Sequence, residues 1–425
     1  MKIHIKNGRL VDPKNNVDAQ KDVFIAAGKV VAVGVMPEGF HANRVIEAGG
    51  LVVCPGLVDL SARLREPGYE YKATLESEML AAVAGGVTSL VCPPDTDPPL
   101  DEPGLVEMLK HRAKSLNQAR VFPLGALTQK LAGERLTEMA ELTDAGCIGF
   151  SHADAPIADT NVLLHAMEYA ATFGFAVWLR PQDAFLAKDG VAHDGEVATR
   201  LGLPAIPSCA ESIALATILS LVRETGARVH ICRLSSREGV ALVRAAKAEG
   251  LPVSCDITIH HLHLSEVDIG FFDSNCHLVP PLRSQRDRDA LREALADGTV
   301  DALCSDHTPV DDDAKLLPFA EAEAGATGLE LLLPLTLKWA RETDAPLSAA
   351  IARIATEPSR VLALNNGHLG VGQPADLCIF DPAQHWKVGP ATLKSQGRNT
   401  PFVGFELQGK VRYTLVDGHV VYEGL

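Results

Sequence analysis

The sequence has few aromatic residues, no closely spaced cysteine pair, no long apolar run and little positive charge. Aromatic residues make up only 5% of the chain, so a large core must be mainly aliphatic. The nine cysteines contain no Cys-x-x-Cys pair, which is typical of reduced thiols in a cytoplasmic protein. No apolar run reaches the roughly 18 residues of a membrane-spanning helix. The net charge of −15 argues against nucleic acid or an anionic membrane as a partner.

Short strand-like segments occupy both ends of the chain. Near the N-terminus, the Asn7-Gly8 turn separates two apolar pairs, which predicts a β-hairpin. At the other end, residues 375–380 and 413–421 alternate in the same way, the latter around an Asp417-Gly418 turn. We therefore predict a composite β-sandwich built from residues 1–54 and 365–425.

The centre of the chain, residues 55–364, alternates apolar strand patterns with amphipathic helix patterns. The predicted strands are 57–60, 87–92, 120–125, 146–151, 175–180, 228–234, 252–259 and 300–305. The predicted helices include 75–85, 103–117, 160–173, 210–225, 236–249 and 284–297. Eight such units indicate an α/β protein with a (β/α)8 TIM-type barrel, whose functional site lies at the carboxyl ends of the strands.

Residues 55–68 carry the most informative motif. They read Pro-Gly-Leu-Val-Asp-Leu-Ser-Ala-Arg-Leu-Arg-Glu-Pro-Gly. This resembles the first barrel strand of the dihydroorotase family of amidohydrolases, which ends in His-x-His followed by Leu-Arg-Glu/Asp-Pro-Gly. Further similar segments are residues 92–99, 149–151, 279–283, 305–307, 328–330 and 374–376. The resemblance therefore spans nearly the whole chain.

The resemblance implies a zinc site at the strand ends, but its ligand positions are changed here. Ser61 and Arg63 stand in place of the histidine pair. In ungapped register Ala153 replaces the acidic ligand after strand four, although a shift of one residue offers Asp154 instead. The histidines after strands five and six become arginines, and the aspartate of strand eight is retained; these residues are Arg180, Arg233 and Asp306.

These replacements remove the donors that zinc requires. Zinc in proteins takes three or four nitrogen, oxygen or sulfur ligands, and a guanidinium has no lone pair to offer. Asp306 alone cannot hold the ion, so we predict no metal and no cofactor. We expect the three arginines to supply positive charge where the metal would be and to pair with Asp306.

The substrate side differs as well. Arg65 is retained at the position that the resemblance assigns to binding of the substrate carboxylate, and Asp95 replaces an asparagine. Arg65 fits a salt bridge at the barrel mouth equally well. We predict a vestigial pocket with no catalytic residue, in which Asp306 is a remnant; its members are Arg63, Arg65, Asp95, Arg180 and Arg233.

Two functions follow from the resemblance. The first is an inactive dihydroorotase homologue that serves as a structural subunit of aspartate transcarbamoylase, as a homodimer or hetero-oligomer, in pyrimidine biosynthesis. The second is an active zinc-dependent cyclic amidohydrolase acting on carbamoyl-aspartate or dihydroorotate, with a rewired site that uses Asp306, Asp154 and the histidines of residues 260–263. A weaker third possibility is a metal-free regulator that binds an anion with its arginines.

Overall fold

Two β-sheets built from both ends of the chain form a sandwich. The computed structural model describes residues 1–424. The N-terminal strands are β1 (Lys2–Lys6), β2 (Arg9–Asp12), β3 (Val17–Gln20), β4 (Val23–Ala26), β5 (Lys29–Val33), β6 (Arg44–Glu47) and β7 (Val52–Pro55). Their aliphatic side chains, such as Ile3, Ile5 and Leu10, pack into one core with Leu377 and Ile379 from the C-terminal segment.

Parallel strands form the central barrel. The barrel strands are β8 (Leu57–Asp59), β9 (Val87–Cys92), β10 (Arg120–Pro123), β11 (Gly125–Ala126), β12 (Phe150–Ser151), β13 (Ala176–Leu179), β16 (Arg228–Ile231), β17 (Val253–Thr258) and β18 (Ala302–Cys304). Two short additional strands, β14 (Ala192–His193) and β15 (Ala205–Ile206), form a separate pair. Every residue of β9 and β13 is buried, as expected for strands covered on both faces.

The barrel closes through main-chain hydrogen bonds between its first and last strands. Arg63 N–H donates to the His307 carbonyl at 2.8 Å, and His307 N–H donates to the Ser61 carbonyl at 3.1 Å. The third strand is divided: β10 pairs with β9, and β11 pairs with β12. The predicted eight-unit barrel is therefore confirmed, and each predicted strand overlaps an observed one.

Helices cover the outside of the barrel. They are α1 (Leu75–Ala84), α2 (Pro103–Ser115), α3 (Met139–Ala145), α4 (Thr160–Phe173), α5 (Glu196–Leu201), α6 (Cys209–Thr225), α7 (Arg237–Ala248), α8 (Ile259–His263), α9 (Gln285–Asp297), α10 (Asp312–Lys315), α11 (Leu332–Glu342), α12 (Leu347–Ile351) and α13 (Glu357–Val361). Side-chain caps fix several starts: Thr74 accepts from Ser77 N–H, and Ser284 forms a capping box with Asp287. Within residues 1–424, none of the helices combines the length and apolarity needed to cross a bilayer.

Short helical turns complete the connections. The 3₁₀ segments are Gln129–Leu131, Glu266–Ile269, Ser274–Cys276 and Leu329–Leu331, and Ala352–Thr356 is a π-helical segment. The C-terminal strands are β19 (Leu377–Lys387), β20 (Glu406–Val416) and β21 (His419–Glu423). The strand orders of the two sandwich sheets are β5-β4-β1-β6 and β21-β20-β19-β7-β2-β3. Both the barrel and the composite sandwich agree with the fold predicted from the sequence.

One local prediction is wrong. Residues 2–12 do not form a hairpin, because β1 pairs with β4 and β6 whereas β2 pairs with β3 and β7. Asn7 adopts the left-handed conformation, with φ of 64°, and the chain passes there from one sheet to the other. Burial decides the outcome: strands in separate sheets can both direct apolar side chains into the core between them. The predicted hairpin at Asp417-Gly418 is confirmed by the pairing of β20 with β21.

Candidate functional site

Three arginines converge at the carboxyl ends of the barrel strands. Arg63 follows β8, Arg180 comes directly after β13, and Arg233 follows β16. The carboxyl ends of parallel barrel strands meet at one face, so residues far apart in the chain become neighbours. The guanidinium-bearing side chains are all nearly buried, with exposed fractions between 3% and 6%.

Asp154 is the common acceptor of all three arginines. Arg63 Nη2 donates to its Oδ2 at 2.6 Å, and Arg180 Nε donates to Oδ1 at 2.8 Å. Arg233 Nη2 donates to Oδ1 at 2.5 Å. Arg180 Nη2 also donates to the Asp154 main-chain carbonyl at 2.7 Å. The carboxylate of Asp154, on the loop after the fourth barrel strand (β12), therefore joins the ends of the first, fifth and sixth barrel strands (β8, β13 and β16).

Asp306 and Asp95 complete the charged cluster. Arg233 Nη1 donates to Asp306 Oδ1 at 3.0 Å, and Arg63 Nη1 lies 3.6 Å from the same oxygen. The Ser61 hydroxyl lies 3.4 Å from it. Asp95 accepts from Arg63 Nε at 2.8 Å. Three guanidiniums thus face three carboxylates, and the predicted pairing of Asp306 with an arginine is present. We call these six charged residues the arginine–aspartate cluster.

The two central carboxylates differ in their electrostatics. Burial alone would raise the pKa of Asp154, but Arg233, Arg63 and Arg180 outweigh it and hold that pKa well below its usual range. Burial raises the pKa of Asp306 above its ordinary value, and Arg233 and Arg63 only partly oppose this effect. The anion at the centre of the cluster is therefore Asp154, whereas the charge on Asp306 is less well compensated.

The side chains at the implied metal position do not fit zinc. Ser61 offers one neutral hydroxyl, Ala153 offers only a methyl group, and the arginines offer protons without lone pairs. Both carboxylate oxygens of Asp154 and one of Asp306 accept from guanidiniums. In the part of the chain that the structure describes, no group of three or more His, Cys, Asp or Glu side chains is placed to hold a metal ion.

Arg65 lies apart from the hydrogen bonds of the cluster. Its Nε donates to the Pro309 carbonyl at 2.7 Å, and its Nη2 lies 3.7 Å from the Glu323 carboxylate. The structure thus gives this arginine the partners of a salt bridge at the barrel mouth. Asp95, in contrast, is part of the cluster.

The histidines of residues 260–263, which the enzyme hypothesis would use, contact separate neighbours. They lie on the short helix α8, where side chains separate around the axis. His261 bonds to Thr258 Oγ1 at 2.8 Å and to the Pro281 carbonyl at 3.1 Å. His263 bonds to the Leu335 carbonyl at 2.8 Å, and His260 stacks on Phe402. Each ring therefore serves local packing.

Comparison with known proteins agrees with this architecture. A dihydro-orotase-like family model matches residues 50–239, and an amidohydrolase family model matches residues 181–422. A dihydroorotase-like protein of Pseudomonas aeruginosa is 46% identical over 424 residues, covering 100% of both chains. This chain belongs to the dihydroorotase-like amidohydrolases. A dihydroorotase of Geobacter sp. (strain M21) is 40% identical to it over 426 residues, again covering 100% of both chains.

Solved structures of two hydantoinases share the fold of the dihydroorotase-like chain. The L-hydantoinase (dihydropyrimidinase) of Arthrobacter aurescens superimposes with a TM-score of 0.88 at 25% identity, covering 99% of this chain and 96% of that one. The D-hydantoinase of Thermus sp. superimposes with a TM-score of 0.84 at 22% identity, covering 99% and 95%.

Asp154 is the member of the cluster that the sequence left undecided. The ungapped register pointed to Ala153, but the structure places the carboxylate of the next residue among the arginines. A count of the charges in the cluster favours Asp154 over Ala153 as the residue that faces the arginines. Three arginines directed at Asp306 and Asp95 alone leave one positive charge uncompensated, and a buried unpaired charge is costly.

Proposed function

We propose that this dihydroorotase-like chain is noncatalytic and acts in the cytoplasm as a structural subunit that binds and stabilises the catalytic chain of aspartate transcarbamoylase in pyrimidine biosynthesis. One observation carries the noncatalytic part of the proposal. Asp154 accepts hydrogen bonds from Arg63, Arg180 and Arg233 at the position where a family member would hold its metal.

The cluster supports this proposal because it occupies the groups that chemistry would need. Hydrolysis of a cyclic amide requires an activated water and an electrophile that polarises the carbonyl group. Asp306 could act as a base, but the described residues around it offer no ligand set for a metal that would supply the electrophile. Its Oδ1 accepts from Arg233 and lies near Arg63 and the Ser61 hydroxyl. The other charged groups of the arginine–aspartate cluster form hydrogen bonds with one another.

A structural role agrees with what the cluster does for the barrel. Arg63, Arg180 and Arg233 connect five strand ends through Asp154 and Asp306, so the barrel mouth keeps an ordered charge network in place of a metal. A rigid barrel presents a fixed surface, and a subunit that binds only the folded partner stabilises it by mass action. The identity of the partner comes from the family resemblance.

The test combines catalysis, metal content and partner binding. Purified protein is assayed for carbamoyl-aspartate cyclisation and for bound zinc, alone and beside an Asp306→Ala variant. We expect no turnover in either protein and no stoichiometric zinc. Mixing with the transcarbamoylase catalytic chain should yield a stable complex in which transcarbamoylase activity survives heating longer.

A contrary result has a definite meaning. Near-stoichiometric zinc together with turnover that Asp306→Ala abolishes would establish a working amidohydrolase. That function is the second candidate, and the naming of relatives at about 40% identity as dihydroorotase favours it. Absence of any complex with the transcarbamoylase chain would reject the structural-subunit proposal.

A further inference from the structure

Two loops at the carboxyl face of the barrel expose large apolar side chains to solvent. The first spans residues 266–276 after β17, and the second spans residues 311–323 after β18. Phe271 is 92% exposed and Leu316 is 82% exposed, whereas most large apolar residues of this chain are buried. The other exposed large apolar side chains of the two loops are Val267, Phe272 and Leu317. We call these five side chains the Phe271–Leu316 surface.

Hydrogen bonds hold the two loops side by side. The Ser274 hydroxyl donates to the Lys315 carbonyl at 2.6 Å, and Lys315 Nζ donates to the Ser274 carbonyl at 2.9 Å. Below them, the His277 ring bonds to the Ala322 carbonyl at 2.8 Å. These bonds connect the two loops that carry the exposed apolar side chains.

The exposed residues are not needed to anchor the loops. Phe319, which follows the two exposed leucines in the chain, is buried and stacks on His277 with ring centroids 5.1 Å apart. Phe271 and Leu316 remain exposed. Exposed apolar patches mark interaction sites in soluble proteins, and these two hydrogen-bonded loops together carry five exposed large apolar side chains.

The surroundings of the surface are strongly acidic. Residues 266–276 contain three carboxylates and no cationic residue, and residues 311–323 contain one lysine and five carboxylates, of which Glu323 already pairs with Lys72 and lies near Arg65. The lysine of the second loop, Lys315, is mostly buried and donates inward to Ser274. A second copy docked symmetrically through the same surface would bring carboxylate against carboxylate, and juxtaposed like charges oppose association. Charge complementarity therefore favours a different molecule with cationic groups as the occupant.

We propose that the Phe271–Leu316 surface docks a protein whose own contact patch is apolar and bordered by lysine and arginine side chains. Resting on the function proposed above, we place this patch on the transcarbamoylase catalytic chain. The arginine–aspartate cluster supports the base of both loops: Arg233 Nη1 donates to the Val279 carbonyl at 3.2 Å, and Arg63 Nη1 donates to Thr308 Oγ1 at 3.0 Å. The cluster thus fixes the loops that carry the surface.

The test measures affinity of the full chain for the purified transcarbamoylase catalytic chain by calorimetry or ultracentrifugation. A Phe271→Ser/Leu316→Ser variant removes the apolar centre, and Asp312→Lys/Asp313→Lys reverses part of the acidic rim. The matched control is Phe185→Ser, which alters a phenylalanine that is 80% exposed on the loop after strand five. All of these side chains are exposed, so each variant should fold; circular dichroism checks this.

We expect both surface variants to bind at least about tenfold more weakly, as for residues central to an interface, and Phe185→Ser to bind like the wild type. Binding of the wild type should weaken as salt rises, because salt screens the acidic rim. Equal binding by the wild type and both surface variants overturns the docking surface and leaves the subunit proposal standing. No binding by the wild type overturns both.

Discussion

Arg233 and Asp154 lie 79 residues apart in the chain, yet a guanidinium nitrogen of one lies 2.5 Å from a carboxylate oxygen of the other. The second terminal nitrogen of Arg233 reaches Asp306 at 3.0 Å. One side chain thus connects the ends of strands four, six and eight. In this dihydroorotase-like chain, hydrogen-bonded charge pairs link these strand ends.

Replacing Asp154 with asparagine should destabilise the protein. The Asp154→Asn variant leaves Arg63, Arg180 and Arg233 without their shared anion, and breaking a buried charge pair is strongly unfavourable. About a third of the Asp154 side chain is exposed, so solvent screens the loss. We expect the free energy of unfolding to fall by about 2 kcal/mol in urea titrations. The control is Asp144→Asn, an exposed substitution on α3, whose free energy of unfolding should stay within about 0.5 kcal/mol of the wild-type value. Equal stability of the two variants would contradict a central role for Asp154.

Replacing Asp306 with asparagine should cost less. Burial already raises the pKa of Asp306, so the neutral side chain is a closer substitute there than at Asp154. We expect Asp306→Asn to lower the free energy of unfolding by about 1 kcal/mol or less, measured in the same titrations. If Asp306→Asn proved more damaging than Asp154→Asn, the order of importance of the two carboxylates would have to be reversed.

The stability of the protein should depend on pH through Glu330. Burial raises the pKa of Glu330 to about 7 from an unfolded value of 4.5, although its carboxylate accepts from the Lys394 and Ser395 N–H groups. The folded state then binds more protons than the unfolded state between pH 4.5 and 7. Stability relative to a Glu330→Gln variant should therefore fall as pH rises through this window, by about 3 kcal/mol in total.

Urea titrations of wild type and Glu330→Gln at several pH values between 4.5 and 7.5 test this expectation. The matched control is Glu224→Gln on the exposed side of α6, whose pH profile should run parallel to that of the wild type. A Glu330→Gln profile that also runs parallel would show that Glu330 does not titrate in this range.

Metal should not affect the stability of the protein. Apart from the single Asp306 carboxylate, the side chains at the implied metal-ligand positions are hydroxyl, methyl and guanidinium groups, and a ligand that does not bind the folded state cannot stabilise it. We expect the melting temperature to be unchanged after dialysis against EDTA and unchanged again on adding zinc at a tenfold molar excess. A rise in melting temperature with zinc that Asp306→Ala removes would point to a functioning metal site.

Much of the architecture could be predicted from local patterns. Parallel strands covered on both faces are continuous apolar runs, so β9 and β13 were found at nearly their true bounds. Helix starts such as those at Thr74 and Ser284 carry capping residues. The hairpin predicted at Asn7-Gly8 was wrong because a turn signal specifies a local reversal of the chain and not which sheet each flanking strand joins.

The candidate site could be predicted only in part, because a local sequence signal does not specify which distant residues a side chain meets. Alignment of motif positions identified Arg63, Arg180, Arg233 and Asp306, since strand ends keep a fixed relation to the barrel face. Asp154 lies on a loop where Ala153 takes the left-handed conformation, with φ of 50°. Alanine rarely adopts it, so residue type gives no warning of such a backbone turn.

The sequence by itself determined the barrel, the sandwich and the side-chain chemistry at the strand ends, because apolar periodicity and residue type are properties of residues in order. Only the tertiary structure decided which carboxylate neutralises the arginines and that hydrogen bonds hold together two acidic loops with exposed apolar side chains. Both depend on distances between residues far apart in the chain, and packing alone sets those distances.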